Sequence, residues 1–77
     1  MPLVTTVKPD GAQIRARRER LGLSQEALAK LLKPQRHPQT ISDVERGKQG
    51  VVSLMLIGQL ARVLNVEPES LIKADAA

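Results

Sequence analysis

A chain of 77 residues with a net charge of +4 makes one small domain and leaves no room for a second. It has no cysteine and no aromatic residue, which excludes disulfides and cysteine-based zinc sites and requires a core of Leu, Ile, Val, Ala and Met. The charge is uneven: residues 1–48 hold ten Lys/Arg against five Asp/Glu, and residues 49–77 hold two against three. A basic half of this kind points to an anionic partner such as nucleic acid.

The stretch 1–9 reads as a flexible N-terminal arm, and Leu3–Val7 is its one hint of a strand. Met1–Val7 has no positive segment followed by a long apolar one, so no signal peptide is expected. The longest apolar run, Val51–Ile57, is broken by Ser53 and is too short to span a bilayer. A cytoplasmic protein without membrane contact is the expectation.

Asp10 suits the cap of a first helix, Gly11 to about Leu21, and Gln13 three residues on fits the reciprocal capping pattern. Gly22 fits the left-handed position after that helix, with apolar Leu23 behind it. Ser24 caps a second helix with Glu26 in its first turn. Its apolar stripe is Leu28, Leu31 and Leu32, with Ala29 beside it, and Pro34 ends it near Lys33. Lys33–His37 is a turn. Pro38 opens a third helix that continues to about Arg46 and stops at Gly47. Ser53 caps a fourth, Leu54–Leu64, with Leu54, Ile57, Leu60, Ala61 and Leu64 facing inward. Pro68 opens a short fifth helix to about Lys73, and residues 74–77 read as a disordered tail. The class is all-α, with five short helices in a domain spanning 10–73.

Two helices carry a charge where the core should be. On the first, the slots between Ile14 and Leu21 are filled by Arg17 and Arg18. On the third, turning Ile41 and Val44 inward brings Glu45 inward too. A charge in a core needs a partner, and the simplest arrangement pairs Arg18 with Glu45; otherwise both side chains reach back to the surface. The same phasing turns Gln39, Ser42, Asp43 and Arg46 outward. That edge is short-chained and rich in hydrogen-bonding groups; Gln suits the N6/N7 edge of adenine, and Ser bonds either donors or acceptors.

The runs LGLSQEALAKLL, TISDVERGK and SLMLIGQLARVLNVEPESLI, in this order and spacing, resemble the helix-turn-helix domain of the lambda repressor/Cro type, or XRE family, over about Gly11–Ile72. The resemblance implies a DNA-binding unit made by the second and third helices, with the third in the major groove. It implies base contact from Gln39 and contacts to bases or phosphates from Thr40 and Asp43; Ser42, on the same outward edge, joins them as a candidate for base contact. Backbone contacts are expected from Ser24 and Gln25 at the start of the second helix, and from Arg46 and Lys48 after the third. It also implies a core ion pair between Arg18 and Glu45. Three features depart from the family pattern: the turn Lys33–His37 is longer than usual and has no glycine, Pro38 stands where a polar base reader often stands, and Asp43 puts an acid on the DNA side. Lys33 and Arg36 of that turn are candidates for phosphate contact. Asp43 has three open readings: acceptor for cytosine, repeller of wrong sequences, or partner of a nearby Arg.

Met55 and Leu56 stand where family members carry polar residues. With Val51 and Val52 they suggest an exposed apolar patch and hence a homodimer on an inverted-repeat operator, with the two recognition helices about 34–36 Å apart. The expected function is sequence-specific, double-stranded DNA-binding transcriptional regulation, in a bacterial or phage setting. An antitoxin that also binds a toxin protein, or a restriction–modification controller, are the sub-types kept beside it. No enzyme, metal, cofactor or small-molecule ligand is expected: the one histidine, His37, sits in a turn, where such residues are solvated or cap a helix, and no catalytic spacing occurs.

Overall fold

The structure, a computed structural model, describes residues 5–48 and 50–73. Four helices follow one another: α1 (Gly11–Arg20), α2 (Gln25–Leu31), α3 (Pro38–Glu45) and α4 (Leu54–Leu64). A single 3-10 turn, Pro68–Leu71, stands where a fifth helix was expected. Four residues are too few to propagate an α-helix, and the turn is closed by Ser70 and Ile72 N–H bonds to Glu67 and Glu69. The start of the arm and the tail, 1–4 and 74–77, lie outside the described residues.

Side-chain caps set the helix starts. Asp10 Oδ1 accepts from the Gln13 N–H at 3.2 Å, Ser24 Oγ from Ala27 at 3.0 Å, and Ser53 Oγ from Leu56 at 3.1 Å. The reciprocal half of the expected capping box is not used: the Asp10 N–H donates to the Leu71 carbonyl instead, at 2.8 Å. Gly22 ends α1 with φ of 70°, and the Leu23 N–H returns to the Arg18 carbonyl.

The described part of the arm is docked. Thr6–Val7 forms β1, which pairs antiparallel with β2, Val52–Ser53, in the register Thr6 with Ser53 and Val7 with Val52. Leu54 N–H donates to Thr5, and Pro9 bridges Ile72. The two ends of the domain are thereby stitched beside each other.

The core joins Ile14, Leu28, Ala29, Leu32, Ile41, Val44, Ile57, Leu60, Ala61, Leu64 and Leu71, with Val52 and Leu56 closing it. Three expected core residues lie outside it. Leu21 and Leu31 are each about half exposed, and Leu54 is 40% exposed. Leu21 sits past the end of α1, with Leu23 packing in its place. On α4 the inward stripe runs Leu56, Ile57, Leu60, Ala61, Leu64: four of the five expected residues face the core, and Leu56 takes the place of Leu54.

α1 reaches α3 at a point where no side chain fits. A Cβ on Gly11 would lie 2.3 Å from the Glu45 carbonyl oxygen, so the close approach depends on glycine.

Candidate nucleic-acid interface

α3 is held at both ends by local sequence. Pro38 occupies its first turn, and the His37 side chain caps it: Nδ1 accepts from the Gln39 N–H at 3.0 Å. Only the neutral ring with its proton on Nε2 can accept at that nitrogen. At the other end Gly47, with φ of 68°, lets its own N–H reach the Val44 carbonyl and the Lys48 N–H reach the Asp43 carbonyl at 2.9 Å. The Ser42, Asp43 and Val44 carbonyls are each satisfied, and Arg46 and Lys48 follow directly beyond the helix.

The inner edge of α3 is buried at Ile41 and Val44. Its outer edge is open: Gln39, Arg46 and Lys48 are exposed, and Thr40, Ser42 and Asp43 are partly so. Three of these residues meet at one carboxylate oxygen. Gln39 Nε2 donates to Asp43 Oδ1 at 2.9 Å, and Arg46 Nη2 lies 3.6 Å from the same oxygen. The Gln39 hydrogen bond holds the Asp43 carboxyl below the usual carboxylate range, with Lys48 and Arg46 adding to the effect and desolvation opposing it.

Behind α3 a buried network sets its position. Arg18 Nε donates to Glu45 Oε2 at 2.6 Å and Nη2 to Oε1 at 3.1 Å, a two-pronged pairing. Arg18 Nη1 donates to the Leu23 carbonyl at 2.7 Å, and Gln25 Nε2 donates to Glu45 Oε1 at 3.1 Å. α1, α2 and α3 thus converge on one carboxylate. The Glu45 hydrogen bond holds Arg18 more firmly in its charged form than usual, although burial works the other way. Among the described residues no buried side-chain polar atom lacks a partner.

The family model described as a helix-turn-helix domain matches residues 11–73. The chain belongs to the helix-turn-helix family. Among solved structures it is similar to the restriction-modification controller protein C.AhdI from Aeromonas hydrophila, at 40% identity and a TM-score of 0.69, over 78% of this chain and 86% of that one. No match was found among the curated proteins. This helix-turn-helix protein is of the Cro/C1 type and is a DNA-binding regulator of transcription.

The helix-turn-helix unit is α2 and α3, which pack chiefly on each other. Of the residues expected around it, Ser24 is exposed at the start of α2, while Gln25 is half-buried with its amide nitrogen committed to Glu45. Lys33 is exposed. Arg36, a candidate for phosphate contact, is half-buried: its Nε donates to Gln59 Oε1 at 3.0 Å, and Gln59 Nε2 donates to the Lys33 carbonyl at 2.8 Å. Gln59 of α4 therefore clamps the lengthened turn from both ends. Nothing local in the sequence marks that role, since Gln59 lies far along the chain from the turn.

Two of the four residues expected to form an exposed apolar patch are buried and two are exposed. Val51 and Met55 are exposed, at 47% and 68%. Val52 and Leu56 are buried in the chain's own core, Val52 opposite Val7 of the arm. Leu54 is the apolar neighbour that stands out in their stead.

Proposed function

We propose that this chain is a dimeric, sequence-specific regulator that lays α3 in the major groove of an inverted-repeat operator. One observation carries the reading: α3 buries Ile41 and Val44 and turns the edge bearing Gln39, Ser42, Asp43 and Arg46 away from the core. Gln39, Thr40, Ser42 and Asp43 are the candidates for base contact, at the N-terminal end and along the outer edge. Ser24, Gln25, Lys33, Arg46 and Lys48 are the candidates for gripping the phosphates. Ser24 and Gln25 bring to this the free N–H groups at the start of α2. Val51, Leu54 and Met55 supply the apolar surface for a second copy. The likeness to a restriction-modification controller favours control of such a system over the antitoxin role. A bacterial or phage protein working in the cytoplasm fits this reading.

Selection of bound duplexes from a random pool, followed by footprinting, tests it. The expected product is an inverted repeat whose half-sites are about one DNA turn apart. Enrichment of a lone asymmetric half-site would remove the dimer, and no enrichment would remove sequence specificity.

A further inference from the structure

We propose that Asp43 is a positioning residue: it orients the Gln39 carboxamide so that the helix reads adenine and rejects guanine. The inference rests on α3 being the reading helix, and goes one step beyond it.

The geometry is a single hydrogen bond one helical turn long, from Gln39 Nε2 to Asp43 Oδ1 at 2.9 Å. The Asp43 side chain is only 16% exposed, whereas Arg46 beside it is 62% exposed. Asp43 therefore lies along the helix rather than reaching outward. Its charge is balanced locally by Arg46 at 3.6 Å and by Lys48 nearby.

An ionised carboxylate has acceptors only. Gln39 must therefore turn its nitrogen toward Asp43, which leaves Oε1 on the other side of the amide. One N–H of the NH₂ is used by Asp43; the second remains available beside Oε1. The group presents a donor and an acceptor in a fixed order. Adenine offers N7 as acceptor and N6 as donor in the major groove, which matches that order. Guanine offers two acceptors, O6 and N7, so Oε1 would meet O6. An unrestrained glutamine could turn its NH₂ so that both N–H groups face O6 and N7 of guanine; a tethered one must give up its bond to Asp43 to do so. The tether also removes side-chain freedom before DNA arrives, so less is lost on binding.

The test compares Gln39→Ala, Asp43→Ala, Asp43→Asn and the Gln39→Ala/Asp43→Ala double variant with the unaltered protein. Each is titrated against the selected operator and against duplexes substituted at every base pair, after circular dichroism has verified folding. Gln39→Ala is expected to relax the preference at one A·T pair. Asp43→Ala is expected to lower the adenine-over-guanine preference at that same pair by about tenfold. Asp43→Asn, which keeps an acceptor oxygen, retains part of it, and Asp43→Ala is silent on base preference once Gln39 is gone. A change confined to a neighbouring pair, or no change, in Asp43→Ala overturns the proposal while leaving the reading helix in place. If Gln39→Ala alters no position, the placement of the reading edge falls and takes this inference with it.

Discussion

Arg18 and Glu45 face each other across the seam between α1 and α3, with Nε 2.6 Å from Oε2 and both side chains at least nine-tenths buried. Neither charge could sit there alone. Glu45→Ala leaves a buried guanidinium with only the Leu23 carbonyl, so it should cost about 3–5 kcal/mol of unfolding free energy by urea titration. Replacing both, Arg18→Met with Glu45→Leu, should recover most of that loss, because apolar side chains of similar volume fill the seam without desolvating a charge. A loss below about 1 kcal/mol in the single variant would mean that the pair is not shielded from water.

Two glycines inside helices should answer alanine in opposite ways. Gly11→Ala forces a methyl against the Glu45 backbone, 2.3 Å away, and should destabilise by about 1–3 kcal/mol despite alanine's better helix propensity. Gly58 in α4 has nothing within 4 Å of the same position, so Gly58→Ala should stabilise by about 0.5–1 kcal/mol. Thermal melts of the two variants side by side check the sign.

Asp43 makes stability depend on acid. Its native carboxyl lies below the ordinary value of 3.8, so as pH falls the unfolded chain takes up that proton first. The contribution is present above 3.8 and is lost as pH falls through the native value. Asp43→Asn should flatten the acid limb of a plot of melting temperature against pH. Identical acid limbs in the two proteins would contradict it.

Lys48 is set just past α3 by the Gly47 turn and is proposed to meet phosphate rather than bases. Lys48→Ala should weaken all duplexes alike and reduce the slope of log affinity against log salt by about one unit. A sequence-dependent loss would instead assign Lys48 to base reading.

Much of this arrangement was legible in the sequence, and the reasons are local. Asp10, Ser24, Ser53 and Pro38 mark helix starts because a cap acts within one turn, and Gly22 and Gly47 mark ends because few other residues take a positive φ. Arg18 and Glu45 could be paired as the simplest arrangement, since each interrupts an apolar stripe. What could not be read depends on contacts distant in sequence. Leu54, Met55, Leu56 and Ile57 are four apolar residues in a row, so periodicity alone does not choose the inward face; β1 pairing with β2 chooses it. Leu31 fits the stripe of α2 by spacing, yet the helix ends there and its side chain faces the groove beside Met55. His37 had the chemistry of a cap, but its role follows from where the lengthened turn delivers it, and Gln59 sets part of that turn.

The most direct test of the central claim is an amide titration by nuclear magnetic resonance, adding the selected operator duplex to labelled protein. The signals of Gln39, including its side-chain amide, and of Thr40, Ser42 and Asp43 are expected to shift most, with those of Arg62 in the last turn of α4 and Asn65 just past it nearly still. Still signals along α3, with the changes gathered instead around Met55 and Arg62, would place the DNA on a different face.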